Sequence, residues 1–182
     1  MNSMLIDPSQ MPELFDRLRR RNDVEQPELN KRFGLDSVSG LSQLLEPPTP
    51  LERGIPTLAK GVYKTPSEML KHRFQYAASW KDATLGLRFL SIREMEDIWT
   101  NEAALKSIQI RRETWSDSPP ATTAWNQLTL FAFDLIEGNE VYLVWQSTGV
   151  YPPSNEPEVV EFIGWDTNHF RSLGDFVLYH CQ

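Results

Sequence analysis

Cysteine is almost missing from this chain, with Cys181 alone among 182 residues. One thiol cannot close an internal disulfide, so the framework that holds small secreted domains is excluded. Long apolar runs are missing too, and nothing approaches the roughly eighteen residues a membrane helix requires. The opening MNSMLIDPSQMPELF has no basic start followed by an apolar stretch, so the expected location is the cytoplasm. Histidine occurs only at 72, 169 and 180, and no pair has the two-to-four-residue spacing that presents two ligands to one ion. Neither a metal nor a cofactor is expected. There is no Gly-x-Ser-x-Gly elbow, phosphate loop or Gly-x-Gly-x-x-Gly, and the nine glycines are scattered. Basic charge is in deficit, 18 residues against 25 acidic, for a formal −7. That balance opposes nucleic acid and anionic membrane, and favours a basic protein partner.

What is present reads as a single domain, residues 1–182, with a helical and extended arm over 1–64 and a core over 65–182. In SQMPELFDRLRRR, Met11, Leu14, Phe15 and Leu18 recur at helical spacing, and the closing arginines suit a helix C-terminus. A weaker helical stretch is expected from Pro27 to Leu45, then an irregular, extended connection through EPPTPLERGIPTLAKG. Thr65-Pro66-Ser67-Glu68 predicts a helix start, with Thr65 as cap, running to about Trp80. LGLRFL (85–90) predicts a strand, and Ser91-Ile92-Arg93-Glu94 a second capping box.

Ile108 and Ile110 alternate with polar neighbours in SIQIRRETW, which predicts an edge strand over 107–115. LTLFAFDLI (128–136) and EVYLVW (140–145) are apolar on both parities and predict central strands joined by a hairpin at Glu137-Gly138-Asn139. PEVVEFIGW (157–165) predicts a further strand, bulged near Val159 and Phe162. Ser172 caps a closing helix, with Asp175 as its reciprocal partner and Leu173, Phe176 and Val177 turned inward. The fold class that follows is α+β, an antiparallel, twisted sheet with helices packed on it.

His169, His180, Cys181 and Asp166 crowd the end of the chain, but a terminal thiol beside a closing helix is a poor place to hold a nucleophile, a base and an oxyanion site in register. The two histidines read as bystanders. Asp134 shares strand parity with apolar residues, which would suit an acid-base role were it buried; the plainer reading is that it lies near the strand end and meets water or an arginine. Trp99, Trp145 and Trp165 fall on apolar faces and read as core. Trp115 and Trp125 bracket the loop SDSPPATTA, and Tyr151 stands in TGVYPPSNEPE. Such aromatics suit a protein interface, or else fold back over a sheet edge.

Six segments together carry a family resemblance. Phe131 to Phe133, Gly138-Asn139, Val141 to Trp145, Val159 to Ile163 and the Ser172, Leu173, Phe176, Val177 helix resemble the closing half of the SUKH superfamily, also called the Smi1/Knr4 family. Leu87-Arg-Phe-Leu-Ser-Ile-Arg-Glu94 is similar to its strand that runs into a helix. The resemblance covers about residues 70–182. It implies an interaction protein, in bacteria most often an immunity protein that neutralises a cognate toxin such as a nuclease or deaminase. The family offers no contact residues to carry over. From the residues themselves, the expected contacts are Trp115, Asp117, Trp125, Glu137, Glu140, Tyr151, Glu156 and Glu158. A non-enzymatic binding protein is thus expected. The alternatives are a regulatory or scaffold module of the same superfamily, or a small enzyme pairing Asp134 with His169 or His72.

Overall fold

A computed structural model describes residues 6–32, 44–84, 86–134 and 136–182. It is an α+β structure. A seven-stranded antiparallel sheet runs in the order β1 (Leu44–Leu45), β4 (Trp80–Thr84), β5 (Leu87–Phe89), β6 (Leu128–Phe133), β7 (Glu140–Val144), β8 (Glu158–Ile163), β9 (Asp166–Phe170). A small hairpin pairs β2 (Ile55–Pro56) with β3 (Tyr63–Lys64). Five helices accompany them: α1 (Met11–Arg32), α2 (Glu68–Tyr76), α3 (Ile92–Glu96), α4 (Glu102–Thr114) and α5 (Leu173–His180). Among the described residues no helix is long and apolar enough to cross a membrane.

Parity within the central strands decides what each face carries. In β7 and β8, Val141, Leu143, Val159 and Glu161 turn towards α5, whereas Glu140, Tyr142, Val160 and Phe162 turn towards α4. Helices cover both faces, and this is why β6 and β7 are apolar at consecutive positions. On the α5 face, α1, α2 and α5 pack together over Phe89, Phe131 and Phe176. On the other, α4 lies against Phe162 through Trp115 and Arg111.

Each face also carries a buried polar staple. Arg111 of α4 reaches Glu140 of β7 at 3.7 Å, and His180 Nε2 of α5 meets Glu161 Oε1 of β8 at 2.7 Å. The His180 ring continues to Thr84 Oγ1 at 2.9 Å, and its backbone carbonyl accepts from Arg21. Far from being a bystander, His180 ties α5 to two strands and α1. His169 lies apart on β9, and Cys181, its thiol pushed up by burial, donates to Leu14 O. The end of the chain is therefore scaffold.

Several sequence expectations are corrected. The expected N-terminal helix is present, and Met11, Phe15 and Leu18 join the same core cluster as the sheet. That helix continues to Arg32, Leu44–Leu45 is strand and not helix, and residues 33–43 lie outside the described residues. The connection that follows is extended as expected, apart from its short pairing with β3. Ser67, not Thr65, caps α2, accepting from Leu70 N, and the helix stops at Tyr76 so that Trp80 can open β4. Ser91 forms the expected capping box with Glu94. β8 pairs in continuous register, and the break instead falls in β6 between Leu130 and Ala132.

The largest correction concerns residues 107–115, which are helical and not an edge strand. Asn101 caps α4 through Ala104 N, and the buried positions Ala104, Ile108 and Arg111 follow helical spacing, leaving Ile110 49% exposed. Strand β9 had no sequence signal, since DTNHF buries only Phe170.

Candidate functional site

The residues that reach solvent together lie where α4 meets two hairpin tips. Gly164-Trp165 is a two-residue loop joining β8 to β9, with Ile163 opposite Asp166. Gly164 has φ +58°, the positive value that a type II′ hairpin turn needs at its first central position. The turn carries the Trp165 ring out of the sheet, where it is 81% exposed. Trp165 is therefore not core. It stacks on Trp115, with centroids 5.5 Å apart at 27°, and the Arg111 guanidinium lies 4.4 Å from the Trp115 ring on α4.

The neighbouring tip joins β6 to β7. Asp134 Oδ1 accepts from Ile136 N at 2.8 Å, Gly138 N donates to Asp134 O, and Gly138 takes φ +68°. Asp134 and Ile136 thus belong to the loop and not to the strand, and Ile136 is 89% exposed. Arg111 joins the two tips, donating through Nη1 to Gly164 O (2.9 Å) and through Nη2 to Gly138 O (3.2 Å). Asn139 Oδ1 accepts from Gly164 N at 3.0 Å. The result is an aromatic platform of Trp165 on Trp115, with Ile136 exposed on the neighbouring tip and the exposed carboxylates Glu137, Asp166 and Asp117 adjoining these residues in sequence.

The eight expected contact residues do not form one patch. Trp115, Asp117 and Glu137 belong to this end of α4 and the tips. Trp125 stacks on Trp99 at 4.9 Å beneath Arg112, half-buried against the core. Tyr151 also folds back, its hydroxyl donating to His169 O on β9 at 2.7 Å. Glu156 accepts from Met69 N at the start of α2.

Glu140 and Glu158 are corrections. Both open strands and not loops, and both are buried. Glu140 is 0% exposed, accepts from the Tyr142 hydroxyl at 2.7 Å and faces Arg111. Burial raises its carboxyl, against the pull of Ser107, Tyr142 and Arg111. Glu158 binds Thr148 through the backbone amide and the hydroxyl, pinning the loop before β8. Neither carboxylate is available to a partner.

Sequence reasoning missed Trp165, Ile136 and Asp166. The signal for Trp165 was present, since Gly-Trp between Phe-Ile and Asp-Thr is a hairpin-length interruption.

Asp134 lies just past the end of β6, as the plainer reading expected, but is buried, and it lines a cleft with Asp82 and Arg88. Neither His72 nor His169 lines that cleft. Register places His169 three strands from β6, roughly 14 Å across the sheet. The Asp134–His169 acid-base pair therefore does not form. Among the described residues no group of three or more His, Cys, Asp and Glu is placed to hold a metal ion. No family model, curated protein or solved structure matches this chain.

Proposed function

We propose that this chain is a cytoplasmic immunity-type protein that binds a basic cognate bacterial toxin, such as a nuclease or deaminase, and neutralises it by covering its active site. The resemblance of residues 70–182 to the SUKH superfamily supplies the class. The platform of Trp165 stacked on Trp115, with Ile136 exposed on the tip that Arg111 ties to it, is the observation that supports a binding role. Exposed tryptophan and isoleucine add little to folding, and in interfaces such anchors supply a large share of the binding energy. Glu137, Asp166 and Asp117, in a chain of formal charge −7, would steer a basic surface onto these anchors. No catalytic residue, nucleic acid or membrane enters this reading.

The test is rescue. Cells expressing the toxin encoded beside this gene should survive with the wild-type chain and die with Trp165→Ala, while purified Trp165→Ala keeps its thermal unfolding midpoint. Absence of rescue by the wild type, or full rescue by Trp165→Ala together with Ile136→Asp, would remove this reading.

A further inference from the structure

A cleft of about 520 Å3 opens on the α4 face of the sheet, bounded by β4, β5, the end of β6 and the segment from Asp97 to Asn101. Leu90, Ile98 and Phe133 give it an apolar floor, and Ile136 stands among its lining residues. Its volume falls within the roughly 300–1,000 Å3 typical of small-molecule sites.

The polar groups of the cleft are not balanced. Arg88 is matched by Glu94 at 2.7 Å and Glu46 at 3.3 Å, and Asp97 faces Arg93 at 3.7 Å. The carboxylates of Asp82 and Asp134 also line the cleft, Asp134 accepting from the neutral donors Ile136 N at 2.8 Å and Asn139 Nδ2 at 3.5 Å. Asp82 is the one non-glycine residue among those described with a positive φ, +53°, and it sits where the register of β4 breaks. Asn22 holds this distortion from the α1 side by donating to the Asp82 and Ala83 carbonyls. Bulges and left-handed residues that are held in this way re-aim side chains, and they cluster at functional sites. Here the distorted residue has a buried carboxylate oxygen, Oδ2, with no hydrogen-bond partner. Gly86 adjoins the second carboxylate, and a methyl group on it would lie 3.4 Å from Asp134 Oδ2. Burial raises the Asp82 carboxyl; Lys81 opposes that shift and the charge of Asp134 adds to it, so a bound cation would relieve the site.

We propose that this cleft binds a small organic cation, an ammonium or guanidinium group on an apolar body. The charged head lies at Asp82 and Asp134 and the body lies on Leu90, Ile98 and Phe133. A bare metal ion is excluded by the spacing of the carboxylates, since no group of three converges among the described residues. A single basic side chain of a protein would leave most of the volume unfilled. The site is separate from the Trp165–Trp115 stack, neither ring lining it, while Ile136 stands at its edge.

The test is titration of the 15N-labelled full chain with tryptamine, and with indole-3-acetate as the anionic counterpart. Tryptamine should give saturable shifts at the amides of Asp82, Gly86, Leu90 and Asp134, and indole-3-acetate should give none. Asp82→Asn should weaken tryptamine about tenfold, the loss of one charge-assisted contact. Asparagine tolerates the left-handed backbone nearly as well as aspartate, so this variant keeps the fold. Ile136→Lys, a surface change near the cleft, should weaken binding by charge repulsion, whereas Trp165→Ala should leave it unchanged. Equal binding of both indoles, no saturable response to tryptamine, or indifference to both Asp82→Asn and Ile136→Lys would overturn the proposal. Binding of an arginine-rich peptide without tryptamine would also overturn it, assigning the cleft to a protein partner.

Discussion

Arg111→Met tests the physical basis of the platform. Methionine keeps much of the length and apolar contact of arginine, so the change removes chiefly the guanidinium. Glu140, 0% exposed, would then keep the Tyr142 hydroxyl and Ser107 but lose its cation. Breaking a buried pair from one side costs about 3–5 kcal/mol, mostly the penalty of the stranded charge. The carbonyls of Gly138 and Gly164 also lose their side-chain donor, though they lie near solvent and water can replace it. An expected loss of about 3 kcal/mol lowers Tm by roughly 6–12 °C for a chain of this size. Urea unfolding followed by tryptophan fluorescence measures it. The effect carries a pH signature. A carboxyl whose folded pKa lies above its unfolded value contributes stability that is complete below the unfolded value and lost as pH rises through the folded one. Burial already raises Glu140, and removal of Arg111 raises it further. The deficit of Arg111→Met should therefore be largest near pH 7 and shrink towards pH 5. Adding Glu140→Gln should recover at least about 1 kcal/mol, because a neutral amide has no stranded charge. A loss below about 1 kcal/mol at pH 7, or a double variant no better than Arg111→Met, would refute the reasoning.

Arg73 is a buried cation of the opposite kind, donating to Ala77 O and surrounded by Phe74, Phe89 and Phe131, with Nε and Nη2 unpartnered. Burial lowers its pKa to about 9, below that of an exposed arginine, so above about pH 9 the unfolded chain binds more protons and stability rises with pH. Arg73→Met should remove that rise and leave stability at pH 7 unchanged or up to about 2 kcal/mol higher, since an apolar isostere avoids the charge penalty; a loss above about 2 kcal/mol in urea unfolding contradicts this. Gly54 has φ +92°, and a methyl group there would lie 2.5 Å from Lys64 O. Gly54→Ala should cost about 2–3 kcal/mol by calorimetry, through backbone strain and the clash with β3.

What could be read in the sequence was local. Ser91 and Ser172 announced α3 and α5 because a capping serine acts within three residues. The central strands were legible because both of their faces are apolar. Helix α4 was not, and Arg111 is the reason. It occupies the third inward position after Ala104 and Ile108, and a pattern of apolar residues counts it as solvent-facing. With Arg111 removed from the stripe, two isoleucines two residues apart imitate a strand. The same blindness covers Glu140, Glu158, Glu161 and His180, charged residues that are interior because a partner distant in sequence meets them. Trp165 failed in the other direction. Its parity placed it inside, but a two-residue turn ends the strand just before it. The cleft was illegible for a third reason, since the left-handed Asp82 arises from a register break held by Asn22, 60 residues earlier.

An apolar pair could pack α4 onto β7 at least as well as Arg111 and Glu140, because a buried ion pair repays little more than its own desolvation. What no apolar side chain can do is donate to two carbonyls on two different hairpin tips. Those carbonyls lie beyond the last rungs of the sheet, where backbone groups have no ladder partner and must find another donor or water. Arg111 supplies that donor, and its Glu140 partner keeps the charge tolerable inside. The two tips are thereby held in one register relative to each other and to Trp115. A platform fixed before the partner arrives loses less side-chain and loop freedom on association, and this loss is one of the main costs of binding. The interior charge of α4 and the exposed Trp165 ring are two parts of one arrangement: the first holds the loops still, and the second would give a partner something rigid to meet.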